Sequence, residues 1–355
     1  MKRITALLCA ALMCISVLVS CSGGTKNAAM SVKDSGSVSI NFLYLLTSIH
    51  KSMYSELVNA YGGDWDYEVS AEKGTTFSDM IYDMTVRSAR SSLICEYLHD
   101  KVYSLPISDE QKKNIDGQID SLVAKYGSKQ KLEEALSVYS ADISSLRRYL
   151  ELSVKQADLY TCFYRDDGEC PIPQSEIRDY FKDNYSIVTH IYFNIGSKQK
   201  EDGTYVSFTE DEIARIREKA TDIYNRILAG EDFYELRTDY SEDVYEEYYY
   251  PNGFFVTNDT TFPTEFTKAA LDMKVGEYRM VESSGSGGRG IHIMYRLPMD
   301  ADLYNTDANV YNTIKNLLEA DDFEERIAEY ADLVTENQDI IAQLNVRVVP
   351  EYAID

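Results

Sequence analysis

The segment SIVTHIYFNI, residues 186–195, is the point at which the hydrophobic period of this chain changes. One register of the segment holds Ile187, Ile191, Phe193 and Ile195, and the other holds Val188, His190 and Tyr192. Alternation of this kind predicts a β-strand, because successive side chains on a strand point to opposite faces of a sheet.

Downstream of the strand, short helices and strands follow one another up to about residue 300. Thr209 and Glu212 form a capping-box pattern ahead of an apolar stripe that ends at Gly230, which predicts a helix. Two short helices are predicted over 233–240 and 263–271. Two strands, over 278–282 and 291–297, flank a turn rich in serine and glycine. Residues 186–300 are therefore predicted to form a small α+β domain.

The rest of the chain carries helical periodicity. The clearest helix begins with the capping box Ser108 to Gln111 and ends at Gly127. The helical period returns after Asn309, and a short apolar run at 346–349 is predicted to be strand-like. The prediction is a helical domain over 38–185, the α+β domain over 186–300, and C-terminal helices over 301–355.

The N-terminus has the arrangement of an export signal. Lys2 and Arg3 precede an apolar run that is shorter than the roughly 20 residues of a membrane-spanning helix. The run ends in Leu-Val-Ser-Cys, which resembles the bacterial lipoprotein signal and makes Cys21 the lipid attachment site. An ordinary signal peptide followed by a chance cysteine is the alternative.

These features predict an extracytoplasmic location, with the chain lipid-anchored to the bacterial cell membrane. The signal peptide would occupy residues 1–20. Residues 21–37 are rich in glycine, serine, lysine and alanine, and are predicted to be a flexible tether behind the lipidated cysteine.

Charge and cysteine content exclude some functions. The chain has 59 acidic and 35 basic residues, a net charge of −24, which argues against nucleic acid as a partner. Cys95, Cys162 and Cys170 show no metal-ligand spacing, so no metal site is expected. One disulfide among them and buried free thiols both remain open at this point.

Six sequence blocks within residues 186–300 carry a family resemblance. In chain order they are THI at 189–191, AGEDF at 229–233, YSED at 240–243, FPTEF at 262–266, KVGE at 274–277 and GIHI at 290–293. Their order and spacing resemble the parvulin family of peptidyl-prolyl isomerases. The whole chain resembles foldases of the PrsA/SurA type. The resemblance implies a small antiparallel-type sheet with surrounding helices, inserted in a chaperone-like helical domain that the C-terminal helices complete.

The resemblance also implies a site. His190 and His292 align with the paired histidines on adjacent central strands, and Asp243 aligns with the Cys/Asp position near the rotating bond. The positions of the hydrophobic proline pocket are Phe255, Phe262 and Phe266. The implied activity is cis/trans isomerisation of X-Pro bonds in unfolded or partly folded exported polypeptides, without a cofactor. A homodimer remains open.

Departures from the family keep other functions in view. Tyr249 and Tyr250 stand where family members carry a Gly-Gly pair, and Gly287 stands where a hydroxyl is usual. A non-catalytic chaperone, or holdase, with a degenerate parvulin domain is therefore the alternative function. The aromatic and acidic run at 245–255 either binds clients or packs on its own domain. A lipoprotein that binds a small solute is disfavoured, because the strand–helix alternation of a two-lobed binder is absent.

Overall fold

The computed structural model describes residues 28–70, 74–165, 167–285 and 288–354. The predicted signal peptide, the predicted lipid attachment site Cys21 and the first part of the predicted tether lie outside these ranges. The chain divides into two units: the first runs up to Pro171 and resumes at Ala320, and the second is Ile172–Glu319. Within the described ranges, no helix has both the length and the hydrophobicity needed to cross a membrane.

The first unit is mainly helical. Its helices are α1 (Ile40–Ala60), α2 (Phe77–Tyr97), α3 (Asp109–Tyr126), α4 (Lys129–Ser137), α5 (Ile143–Tyr164) and α12 (Gln338–Ile341), with a π-helical turn at Leu98–Val102. Its strands are β1 (Ala28–Val32), β2 (Ser37–Ser39), β3 (Glu68–Ser70), β4 (Thr75–Thr76) and β11 (Val334–Glu336). Strand β1 pairs with both β2 and β11, so residues 334–336 are hydrogen-bonded to the first strand of the described chain.

Local sequence signals account for some elements of this unit and not for others. The capping box at Ser108 and Gln111 is present, and α3 ends at Gly127 in the left-handed conformation, as predicted. The tether prediction is wrong for residues 28–32, because Met30 and Val32 pack into an apolar cluster with α1 and α2. The run predicted to be strand-like at 346–349 instead contains a 3-10 turn, Val346–Val348.

The second unit is built around a four-stranded antiparallel sheet with the order β8-β5-β10-β9. Its strands are β5 (Ser186–Asn194), β8 (Phe254–Val256), β9 (Tyr278–Gly285) and β10 (Gly288–Arg296), and a separate hairpin joins β6 (Ser197–Gln199) to β7 (Tyr205–Ser207). Its helices are α6 (Gln174–Asn184), α7 (Glu210–Leu228), α8 (Phe233–Tyr240), α9 (Glu246–Tyr249), α10 (Thr264–Asp272) and the start of α11 (Ala308–Ala328). The predicted α+β class with a small antiparallel sheet is confirmed.

This unit is wider than the predicted 186–300. Phe181 of α6 packs on Ile187 of β5, and Tyr304 and Ile314 join the same buried cluster. These apolar contacts attach α6 and residues 301–319 to the sheet. Both segments were predicted to belong to the helical domain, and this prediction is wrong for residues 172–185 and 301–319, because their apolar side chains are buried with those of β5.

The side chains of strand β5 point alternately to the two faces of the sheet. On one, which we call the closed face, Ile191, Phe193 and Ile293 of β10 pack against the apolar stripe of α7. The other, the site face, carries His190, Tyr192 and His292, with α10 packed at one side. The alternation that predicted the strand thus separates the apolar side chains of the closed face from the side chains that build the site.

Candidate functional site

The site face opens into a cavity of about 390 Å³. Aromatic side chains line one part of it: Tyr192, Tyr250, Phe254, Phe262 and Phe266. Polar side chains line the other: His190, Glu242, Asp243, Ser283 and His292. A mixed lining of this kind is typical of ligand sites, in which apolar walls hold a group and a few polar atoms orient it.

The two histidines meet because of the strand register. His292 lies opposite Tyr192, and His190 lies opposite Met294, so the histidines are diagonal neighbours on one face. Their ring centroids are 5.0 Å apart, and their Nδ1 atoms are 3.0 Å apart. The structure therefore brings together the two residues that the resemblance paired.

A hydrogen-bonded chain extends from both ends of this pair. His190 Nε2 is 3.3 Å from Asp243 Oδ2, and His292 Nε2 is 2.9 Å from the Ser283 hydroxyl oxygen. An ionised carboxylate only accepts, so His190 donates from Nε2 and accepts at Nδ1 when neutral. His292 must then donate from Nδ1, and its Nε2 accepts the proton of Ser283. One consistent set of donors satisfies the chain with both rings neutral.

The electrostatics agree with this arrangement. Burial is the main cause that lowers the pKa of His292 to about 3, and the neighbouring His190 contributes to this lowering. The hydrogen bond from His190 also lowers the pKa of Asp243. At neutral pH, His292 is therefore uncharged and Asp243 is ionised, which are the states that the hydrogen-bond directions require.

Three phenylalanines build the apolar wall. Phe266 is buried on the first turn of α10, and its ring centroid lies 5.0 Å from that of His292 and 5.8 Å from that of His190. The ring centroid of Phe262 lies 5.4 Å from that of Phe266, and the ring centroid of Phe254 lies 5.5 Å from that of Phe262. Together the rings form a slot beside the histidine pair.

Phe255, the third predicted pocket aromatic, does not line this cavity. Strand β8 places Phe254 opposite Val188 and Phe255 opposite Ile187, so the two phenylalanines point to different faces. Phe255 packs instead against Phe181, with ring centroids 5.5 Å apart. The pocket residue is Phe254, because a shift of one residue moves a strand side chain to the other face.

The hydroxyl that Gly287 does not supply comes from Ser283 on β9. Ser283 lies opposite Gly290 of β10, beside His292. Gly290 has no room for a side chain, since a Cβ there would lie 2.2 Å from the Tyr192 ring. Several serines precede the second histidine in the sequence, and only the strand register shows which of them faces the site.

Sequence reasoning missed Glu246, a carboxylate buried behind His190. Its Oε1 accepts a 2.5 Å hydrogen bond from Thr189 and lies 3.4 Å from Arg237 Nη1. Its Oε2 is 3.9 Å from His190 Nε2 and has no hydrogen-bond partner among the described residues. Burial raises the pKa of this carboxyl. Within an acidic run, nothing in the sequence distinguishes a buried glutamate from solvated ones.

The tyrosines that replace the Gly-Gly pair lie at the end of helix α9. Tyr250 packs on Phe254, with ring centroids 4.5 Å apart, and narrows the cavity from one side. Tyr249 is 65% exposed, so it does not fill the groove. The loop is rebuilt as a helical turn, and the cavity stays open.

A match to a known protein family covers the part of the chain that holds this site. Residues 190–298 match the Rotamase family, described as a PPIC-type PPIase domain, which confirms the parvulin-type resemblance. Among solved structures, the chain is similar to the foldase protein PrsA from Lactococcus lactis, at 15% identity over 91% of this chain and 99% of that one, with a TM-score of 0.29.

Two further solved structures show comparable similarity. For PrsA from Bacillus subtilis the identity is 15% over 76% of this chain and 89% of that one, with a TM-score of 0.25. For a SurA-like chaperone from Campylobacter jejuni the identity is 16% over 79% of this chain and 98% of that one, with a TM-score of 0.22. No curated protein matched the sequence.

Proposed function

We propose that this chain, whose residues 190–298 match a PPIC-type peptidyl-prolyl isomerase domain, is a foldase that catalyses cis/trans isomerisation of X-Pro bonds in exported polypeptides. The observation that carries the catalytic part is the 3.0 Å contact between the Nδ1 atoms of His190 and His292 beside an aromatic slot. The lipoprotein-like box ending at Cys21 supports a lipid anchor outside the cytoplasm.

The reaction needs no covalent change. Rotation about an X-Pro bond breaks amide resonance, at a barrier of about 18–20 kcal/mol, and takes tens of seconds or longer unaided. A catalyst has to hold the twisted amide more tightly than the planar one, and each ~1.4 kcal/mol of that difference gives about a tenfold rate increase.

The site residues fit this task. The slot formed by Phe254, Phe262 and Phe266 holds the proline ring and removes water from around the bond. Water stabilises the planar amide, whose carbonyl oxygen carries resonance charge, so its exclusion favours the twisted form. The hydrogen-bonded histidine pair presents fixed polar groups beside the rotating bond, and no proton has to move.

A holdase without catalysis is the second candidate, favoured by the rebuilt loop. Tyr250 lines the cavity, while Tyr245, Tyr248 and Tyr249, which precede it in the chain, are largely exposed to solvent. Exposed aromatic surface can hold apolar segments of an unfolded chain without turning their prolines. The two candidates differ in a rate that can be measured.

The test follows cis/trans exchange of a proline peptide by NMR in the presence of the full chain. We expect the exchange rate to rise in proportion to protein concentration. Loss of one network hydrogen bond corresponds to about 1–3 kcal/mol, so His292→Ala should lower the catalysed rate roughly ten- to hundredfold.

A matched pair of serines controls for the substitution itself. Ser283→Ala removes the hydroxyl that bonds His292, whereas Ser284 is exposed on the same strand and points away. We expect Ser283→Ala to lower the catalysed rate and Ser284→Ala to leave it unchanged. If the wild-type chain gives no acceleration but still suppresses client aggregation, the enzyme proposal fails and the holdase stands.

A further inference from the structure

The chain around the cavity carries an excess of negative charge, of which Arg237 compensates only the part at Glu246 and Glu247. The thirty residues from 238 to 267 contain seven acidic side chains and no lysine, arginine or histidine. The same stretch contributes Glu242, Asp243, Tyr250, Phe254, Phe262 and Phe266 to the cavity lining. The surroundings of the site are therefore both aromatic and acidic.

Exposed apolar and aromatic side chains lie in the chain segment between two residues that line the cavity, Asp243 and Tyr250. We call Glu242, Val244, Tyr245, Tyr248 and Tyr249 the rim. Tyr248 is 79% exposed, and Tyr245 and Tyr249 are each 65% exposed. Tyr248 packs edge-on against Tyr249, with ring centroids 4.8 Å apart, and the large exposed area of the three tyrosines leaves ring surface for a ligand.

Glu242 connects the rim with a groove that extends the site. It lines the main cavity and also a second cavity of about 340 Å³, which continues past Tyr192 and Gly288. The backbone N–H of Asn194 donates to Glu242 Oε2 at 2.8 Å and fixes the carboxylate in place. Among the described residues, no cation forms an ion pair with Glu242, and neither cavity is lined by lysine or arginine.

Nearby cations are engaged elsewhere. Arg289 pairs with Glu282, whose strand position puts both side chains on the closed face. Arg237 pairs with Glu247 and lies close to the buried Glu246. The carboxylate of Glu242 is thus left to attract a cation from outside the domain.

We propose that the rim and the groove beside it bind lysine- or arginine-bearing segments that flank proline in client chains. The inference rests on the proposed function, in which the aromatic slot holds the proline ring. Tyrosine faces attract ammonium and guanidinium groups, and Glu242 supplies the opposite charge. The net charge of −24 steers such segments towards the chain and repels acidic ones.

The experiment compares three labelled peptides that share a central Leu-Pro and differ only at two flanking positions, which carry lysine, glutamine or glutamate. Binding to the full chain is measured by fluorescence anisotropy, and cis/trans exchange by NMR on the same samples. We expect the lysine peptide to bind about tenfold more tightly than the glutamate peptide at low salt, with glutamine between them. The preference should shrink at high salt, because the charges are screened.

Two variants locate the preference. Glu242→Gln should reduce the lysine-to-glutamine affinity ratio several-fold, while Glu218→Gln, an exposed carboxylate on α7, should not change it. Tyr248→Ser should weaken lysine peptide binding, whereas Tyr205→Ser, 70% exposed on β7, should leave it unchanged. Each control removes the same group from a surface outside the rim.

The outcomes separate the two proposals. Equal affinity for the three peptides, or no measurable binding of any, overturns the cationic-segment inference, whatever the exchange rate. Tighter lysine binding that depends on Glu242 supports it, even if no peptide isomerises faster, and the isomerase proposal then fails alone. Faster exchange of all three peptides with no lysine preference keeps the isomerase proposal and removes this inference.

Discussion

The two faces of the central sheet use the same strands for opposite purposes. On the closed face, Ile191, Phe193 and Ile293 are almost fully buried against α7 and carry no polar side-chain atom. On the site face, His190 and His292 are also buried, but they are hydrogen-bonded and line an open cavity. Adjacent residues of β5 therefore have different roles, since Ile191 packs in the apolar core and His190 lines the cavity.

The contrast shows how a small domain can keep polar groups buried. Apolar burial on the closed face stabilises the strands, and buried polar groups on the site face cost free energy unless each finds a partner. The chain from Asp243 to Ser283 supplies those partners for both histidines. A rigid closed face then holds the site residues in register.

The largest expected effect breaks the closed face. Phe193→Ala leaves a cavity beneath α7, so we expect the free energy of unfolding of the second unit to fall by about 3–5 kcal/mol. Hydrogen exchange of the β5 and β10 amides measures this loss. Leu228→Ala, 59% exposed at the end of α7, should change it by at most about 0.5 kcal/mol. A loss below about 1 kcal/mol for Phe193→Ala would mean that this face does not support the sheet.

Periodicity and capping patterns predicted much of this domain from the sequence. The alternation at 186–195 gives β5 and its two faces, and the capping box at Thr209 and Glu212 gives the start of α7. The ordered blocks located the family domain that the match at 190–298 confirms. Local patterns predict a helix or strand correctly where the residues that determine it all lie within that element.

Register and tertiary partners explain the failures. Phe255 was placed in the pocket because blocks align to within a residue, whereas a strand face is decided by that one residue. Glu246 lies behind His190 because of the way helix α9 packs on β5. Ser283 reaches His292 because of the register in which β9 pairs with β10. Residues 28–32 look like a tether in composition, yet they pair with β2 and β11 from distant parts of the sequence.

A smaller effect sharpens the account of the site face. Burial raises the pKa of Glu246, so the native state holds this proton more tightly than the unfolded chain. The contribution of Glu246 to stability must then decrease as the pH rises above the usual glutamate value of about 4.5. We expect the stability of the wild type relative to Glu246→Gln to fall between pH 4.5 and 7, measured by exchange of the β5 amides. A relative stability that rises with pH would show that the carboxylate is stabilised by its partners instead.

The most direct test of the division between the faces uses two neighbouring residues of β5. The measurement is the catalysed cis/trans exchange rate of a proline peptide, per folded molecule, for His190→Ala and Ile191→Val. We expect His190→Ala to lose roughly ten- to hundredfold of the catalysed rate, while Ile191→Val keeps the rate and loses about 0.5–1.5 kcal/mol of stability. A His190→Ala chain that catalyses as fast as the wild type would contradict the assignment of catalysis to the site face.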